Sequence, residues 1–383
     1  MLVYLLALVF INTITHLLLS FNTTIRKIHL WLGLTCGLIA SFSGLTGSLY
    51  VWQPEITAAL NPELLQVENI ENIKEATILK SAVSLIETHK DSIGKVYLPY
   101  REQQTIAIQF KNGKTNYYHP VTSESLGKKS ASILFFESLL NLHRTLGIPQ
   151  IGKYIIGTSA VIFFLILITS GVYIWWKAYA NNLKKGFKIK WKAKKKKFNF
   201  DLHKALGIYF FIPLLIIAFT GAYFTYNAVY KSALKVFDGS NTHVTNQQKS
   251  KNFSTLNDAL LNSKEKYALR AIYFPKDKTG IYRIRYIEDR FIKAGYRKTK
   301  EVEINERDMT TLSDFRFDSN SNRIAAQFYP IHIGEIAGIC GRILVFISGM
   351  IPLVLLITGF RIYRLKTKSV RFKIQGFAKK KID

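Results

Sequence analysis

Four histidines, His29, His143, His203 and His332, introduce four apolar stretches of this 383-residue chain. The stretches run over residues 29–52, 151–176, 203–226 and 332–363. Each is long enough to cross a hydrocarbon core of about 30 Å. An ionisable side chain at the edge of such a span is costly and marks a functional site or a partner inside a bundle. Successive spans alternate in direction, so His29 and His203 fall at one face and His143 and His332 at the other. Paired imidazoles facing into one bundle are a ligand set for haem iron, and the spacing predicts two stacked haems, one near each face. Bis-imidazole ligation leaves no open iron position, which favours electron transfer over oxygen chemistry. The irons are expected on the order of 20 Å apart, given the core thickness.

Glycines accompany the histidines. At about 100° per residue, Gly33, Gly37, Gly44 and Gly47 lie within about 80° of the direction of His29, and Gly207 and Gly221 share the face of His203 in the same way. A flat macrocycle needs a helix face without side chains, and close helix packing uses the same small residues. The fourth span fits less well, because Gly338, Gly341 and Gly359 fall on the side away from His332, and Pro149 breaks the phase between His143 and the second span. Arg342 lies about 15 Å along a continuous helix from His332. It is a partner for a haem propionate or for Glu335.

The elements that position these groups follow from charge and hydropathy. Hydrophobic residues make up 48% of the chain, mean hydropathy is +0.09 and the net charge is +28, which excludes an ordinary soluble globule. Residues 177–204 hold eleven lysines against Asp201, and the tail from Arg361 holds nine basic residues against Asp383. With Arg26 and Lys27, they place these segments in the cytoplasm by the positive-inside rule. Flanking spans, such runs are topogenic and lipid-facing, not nucleic-acid patches. Only Cys36 and Cys340 occur, with no Cys-x-x-Cys pair, so neither a zinc or iron–sulfur site nor a disulfide framework is indicated.

The resulting plan is an apolar extension or extra span at 1–22, containing His16; spans at 23–52, 143–176, 203–226 and 332–363; outer segments at 53–142 and 227–331; a basic loop at 177–202; and a basic tail at 364–383. The stretch 1–20 has neither the basic start nor the cleavage site of a signal peptide. The chain also repeats. His29 precedes Gly33 by four and Gly47 by eighteen residues, and His203 precedes Gly207 and Gly221 by the same intervals. The fold class is therefore an α-helical membrane protein, a four-span bundle built as a tandem repeat with two outer α+β modules. In the first module a helix is expected over 73–89 and strands over 95–99, 105–110 and 116–119. In the second, a helix is expected over 256–266 and strands over 269–274, 280–288 and 300–305.

The run Arg26-Lys27-Ile28-His29 with Gly33 and Ser43-Gly44-Leu45-Thr46-Gly47 resembles the opening of the PepSY-associated transmembrane helix family. Asn141-Leu142-His143-Arg144 with Thr169-Ser170-Gly171-Val172-Tyr173-Ile174-Trp175 resembles its second span. Asp201-Leu202-His203-Lys204-Ala205-Leu206-Gly207 and Ile331-His332-Ile333-Gly334 resemble its later ones. The resemblance covers about residues 24–366. That family includes inner-membrane di-haem proteins that reduce ferric siderophores. It implies PepSY-like outer modules, two b-type haems on His29, His203, His143 and His332, and a bacterial inner-membrane location with the large loops outside. His119, in a segment like a PepSY closing strand, is expected at the surface. Some relatives carry a fused reductase part. Here the basic tail takes its place, so a separate donor, a quinol or a flavoprotein, is expected.

The function expected is reduction of a ferric siderophore or another ferric chelate on the outer side, releasing Fe(II). Residues 227–331 carry nineteen basic against twelve acidic residues, a mild field favouring anionic chelates. A non-redox membrane protein that binds or regulates an envelope partner would hold no cofactor. A chelate transporter would need polar or broken helices at the midplane, where this chain has mainly Pro213 and Pro352.

Overall fold

The alternating Tyr282-Arg283-Ile284-Arg285-Tyr286 is one strand of an eight-stranded antiparallel sheet. The strands are β1 Ile93–Tyr97, β2 Ile106–Phe110, β3 Thr115–Tyr118, β4 Ser125–Lys128, β5 Ala268–Tyr273, β6 Ile281–Ile287, β7 Thr299–Asn305 and β8 Thr311–Ser313. Their order is β4-β3-β2-β1-β5-β6-β7-β8. The computed structural model describes residues 2–238, 254–261, 267–275, 280–313 and 319–379, and their side chains except at 2–20, 261, 312–313 and 368–379.

The two segments expected as separate outer modules therefore share a sheet. The first strand of each half pairs with the other, Val96 opposite Ile272 and Tyr97 opposite Ala271, and both Val96 and Ile272 are fully buried. The physical reason is the edge: an isolated β1 would present an apolar, unpaired strand to solvent. Helices Glu75–His89 and Leu256–Leu261 cover one face, packing Ile78, Leu85 and Leu260 on Ile106, Ile108 and Ile284. On the other face Ala107 and Tyr117 meet Leu64, Leu65 and Ile133, from the short helix Pro62–Leu65 and from Ala131–Thr145. Burial on both faces explains why β2 opens with the apolar run Ile106-Ala107-Ile108. Arg290 ties the halves together: its guanidinium grips Glu75 at 2.5 and 2.9 Å and donates to the Pro99 carbonyl at 2.7 Å.

This sheet belongs to one compact unit, Tyr50–Leu139 with Asn227–Arg342. The other unit is formed by the chain up to Leu49, Leu140–Tyr226 and the chain from Ile343. It is helical. Three helices, Phe21–Tyr50, Gly152–Tyr179 and Glu335–Thr367, are long and apolar enough to cross a membrane, and a bent pair makes a fourth if taken as one span. The backbone is helical from Leu2 to Tyr50, and the side chain of His16 lies outside the described residues.

The bent pair corrects the expectation of a continuous third span over 203–226. Lys195–Tyr209 and Phe211–Tyr223 meet at 62°. Pro213 has no N–H for the Tyr209 carbonyl and its ring crowds that carbonyl, so the helix breaks at Phe210. His203 accordingly sits inside a helix that starts eight residues before it. The second span carries a π-helical turn, Phe163–Ile168, between Gly152–Ile162 and Thr169–Tyr179.

His143 and His332 do not begin their spans. His143 lies near the end of Ala131–Thr145, before a turn through Leu146, Gly147 and Gln150, all at positive φ. His332 closes Phe328–His332; Gly334 at φ 81° and Gly338 at φ 60° then separate it from the helix Gly338–Lys379. The straight helical rise from His332 to Arg342 is thus interrupted.

Candidate functional site

His29 and His203 come together in the helical unit, their ring centroids 6.3 Å apart and their planes at 86°. Each ring is held from behind by another helix. His203 Nδ1 lies 3.0 Å from the Leu355 carbonyl and 3.0 Å from Thr358 Oγ1. His29 Nδ1 lies 2.9 Å from Ser170 Oγ, and the ring is also hydrogen-bonded to the Leu167 backbone. A carbonyl only accepts, so in each ring Nδ1 carries the proton and Nε2 keeps its lone pair. The hydroxyls agree. Thr358 donates its proton to Val354 O at 2.7 Å and Ser170 to Leu167 O at 3.0 Å, leaving an oxygen lone pair for the imidazole N–H.

The same dock recurs for His143. Its Nδ1 lies 2.9 Å from the Ser43 carbonyl and 3.3 Å from Thr46 Oγ1, and Thr46 donates to Phe42 O at 2.9 Å. In all three cases the carbonyl is at position n, the hydroxyl at n+3 and a glycine at n+4. The glycine makes the approach possible. A Cβ on Gly47 would stand 2.8 Å from His143 Cε1, one on Gly171 3.0 Å from His29 Cε1, and one on Gly359 3.3 Å from His203 Cε1. The step appears a fourth time at Thr220-Gly221, where Thr220 Oγ1 donates to Ile216 O at 2.7 Å. His332 belongs to the other unit.

These contacts reassign part of the glycine pattern. Gly47 faces the ring of His143, brought from another helix, whereas the sequence placed it on the face of His29. A Cβ on Gly33 would make only ordinary contact with Leu167, 3.7 Å away, as in helix packing. Gly207 has nothing within 4 Å of where a Cβ would be. Gly44 packs directly on the backbone of Gly349, and Ser48 Oγ donates to Phe346 O at 2.8 Å, fixing the crossing of the first and last spans. Phe163, Leu167, Leu214 and Ile351 form the apolar cluster within the bundle. The π turn ends at the residues that hold His29, a place where such turns often mark function.

Arg342 is committed elsewhere than to Glu335. Its guanidinium takes both oxygens of Glu55, donates to the Val51 carbonyl at 2.5 Å and lies over the Trp52 ring at 4.6 Å. Burial alone would raise the Glu55 carboxyl, but the hydrogen bond and charge of Arg342 hold it below its ordinary value. Glu335 instead receives Arg101 and Arg297. The Arg342–Glu335 bridge, one of the two alternatives that the sequence left open, is absent because the turn at Gly334 and Gly338 separates the two residues into different elements. His119 is spent locally, its Nδ1 accepting from the amides of Val121 and Thr122 at 3.3 Å.

The family model for the PepSY-associated TM region matches residues 26–366. The chain belongs to this family. No curated protein matches it. In this PepSY-associated protein the histidine contexts lie inside the matched region, together with the Ser/Thr-Gly steps that dock three of them. Sequence reasoning gave no histidine-docking part to Thr46, Ser170 and Thr358, whose signal is the hydroxyl–glycine pair repeated in every span.

The 6.3 Å between the ring centres of His29 and His203 leaves room for one metal ion between two imidazoles, given a bond of about 2 Å and a ring centre about 1 Å behind each nitrogen. The Nδ1 contacts supply the outer hydrogen bond that orients a metal-bound histidine, and the open space at Gly207 is room that a Cβ would fill. Among the described residues no group of three or more His, Cys, Asp or Glu gathers for a bare metal ion.

Proposed function

We propose that this protein is a transmembrane electron carrier that holds b-type haem at His29 and His203 and reduces a ferric chelate on the outer side of the bacterial inner membrane. The reading is carried by one observation: two imidazoles 6.3 Å apart, each with Nδ1 tied to acceptors on another helix. Bound haem supplies one-electron chemistry at an iron without an open position. The chain's own part is to orient. Leu355 O and Thr358 fix the tautomer and rotation of His203; Ser170 and the Leu167 backbone do so for His29. Gly171 and Gly359 let both rings sit against the neighbouring backbone, and the apolar cluster around Leu167 and Leu214 keeps water away. His143, docked in the same manner, and His332 are the ligands that the sequence assigns to a second haem. Electrons would come from a quinol or a flavoprotein, and Fe(II) leaves because hard-oxygen chelators bind it less tightly than Fe(III).

The test is the reduced-minus-oxidised spectrum of detergent-purified protein from haem-replete cells, with a pyridine haemochrome count. Two b-type haems per chain are expected, with loss of one in His203→Ala. A colourless protein refutes the proposal.

A further inference from the structure

One cavity in the sheet-bearing unit has no part in the electron path. It is a half-open pocket of about 240 Å³. At about 30 Å³ per water, that is room for roughly eight waters, or an organic molecule on the order of a dozen non-hydrogen atoms. Its charge is unbalanced. Arg297, which is buried, and Arg101, which is partly buried, share Glu335, and Arg101 Nε also lies 3.3 Å from Glu102. Arg270 lines the same cavity, has no carboxylate partner among the described residues, and lies 4.0 Å over the Tyr100 ring. Three guanidinium groups thus meet two carboxylates. The crowding is felt at Arg297, where burial, aided by the charges of Arg270 and Arg101, pulls the guanidinium below its ordinary value despite Tyr100 and Tyr329.

Of the other polar lining side chains, Gln53, Thr57 and Gln103 both donate and accept, and the phenols of Tyr97, Tyr100 and Tyr117 each carry a proton to donate. Tyr100 Oη is buried with no hydrogen-bond partner, an expense that a bound acceptor would remove. Burial, with the charge of Glu137, pushes the Tyr117 phenol up to about 12, and burial also raises Tyr97, so both keep their protons. The rest of the wall is apolar, from Pro54, Leu65, Leu98 and Ile133. A bare oxyanion would leave that wall wet, whereas a carbon skeleton would cover it.

We propose that this cavity is a binding site for a small polycarboxylate anion, with carboxylate oxygens on Arg270 and the Tyr100 hydroxyl and the carbon skeleton on the apolar wall. The planar fork of arginine matches a carboxylate, and charge-assisted hydrogen bonds are the strong ones. The size excludes enclosure of a bulky chelate and selects hydroxycarboxylates of the citrate type. That such an anion arrives as the chelator of the ferric ion rests on the function proposed above; the binding itself does not.

The experiment is isothermal titration of the full-length detergent-solubilised protein with citrate, ferric citrate, inorganic phosphate and glycerol. Citrate is expected to bind one to one and glycerol not at all. Arg270→Gln and Tyr100→Phe should each weaken citrate about tenfold or more, while the surface control Lys80→Gln leaves it unchanged. Thermal unfolding checks that each variant folds, and either of the two suffices. No binding of citrate or ferric citrate at millimolar concentration, or wild-type affinity in both variants, overturns the proposal. Phosphate binding as tightly as citrate overturns the carboxylate assignment. Haem spectra of the same samples separate the two readings: citrate binding by a colourless protein removes the redox function alone, and a di-haem protein that ignores citrate removes this site alone.

Discussion

Gly207→Ala has opposite consequences with and without a macrocycle on the inner histidine pair. Gly207 sits inside the helix Lys195–Tyr209, four residues after His203, and a Cβ there meets no atom within 4 Å. Without a ligand the substitution is favourable, since alanine outperforms glycine in a helix interior by about 1 kcal/mol. With a porphyrin lying on that face the added methyl is overpacking, at about 1–3 kcal/mol. That converts to roughly 5- to 150-fold weaker haem retention. Two measurements separate the signs: thermal unfolding of the haem-free and haem-loaded protein, and the rate of haem loss to an excess of an apo-haemoprotein scavenger. The haem-free variant should melt higher than wild type, and the loaded variant should lose haem faster. A loaded variant that is stabilised as much as the haem-free one, with unchanged haem retention, refutes the placement of a macrocycle at Gly207. Gly359→Ala is the internal contrast, because its Cβ would press on His203 Cε1 in either state.

Further outcomes follow from other contacts. Thr358→Val removes one of the two acceptors of His203 Nδ1 while leaving the Leu355 carbonyl; about 1 kcal/mol, or fivefold in haem retention, is expected, with a shift of the haem midpoint potential in redox titration. Ile272→Ala empties a fully buried position at the junction of β1 and β5 and should cost about 2–5 kcal/mol, read as early protease cleavage in both halves of the sheet; cleavage confined to one half would contradict a shared sheet. The folded Glu55 carboxyl lies below its ordinary value, so its pairing with Arg342 is fully present above about pH 4.3 and is lost as pH falls through the folded value. Acid melting profiles of wild type and Glu55→Gln should therefore converge at low pH, and a constant offset down to pH 3 would exclude the pair as the cause.

The spans are legible because twenty apolar residues in a row admit few other structures, and the helix Glu75–His89 and strands β1–β3 and β5–β7 lie within a few residues of where periodicity puts them. Strands β4 and β8 are short edge elements, and β4 in particular, Ser-Leu-Gly-Lys, has no apolar alternation to report it. The pairing of Val96 with Ile272 is invisible to local pattern because the partners are far apart in sequence. The histidines stand out by type and position, but their docks do not. A helical wheel compares residues on one helix, so it assigns Gly47 to His29, while the ring that needs the space at Gly47 arrives from residue 143. Pro213 shows as an interruption, but the 62° bend it causes depends on how the freed carbonyl and ring clash resolve in three dimensions.

The join between β1 and β5 also has a timetable. Strand β1 ends at Tyr97 and its partner begins at Ala268, so about 170 residues must be synthesised in between. At roughly 5–20 residues per second, the nascent first half waits on the order of ten to thirty seconds with one edge of its innermost strand, the edge away from β2, unpaired. During that interval β1 is an adhesive border open to any extended chain nearby. Assembly of this protein is thus a race between translation of its second half and capture of its first, and a slow stretch of translation before Ala268 would be felt as misassembly with no change in the finished fold.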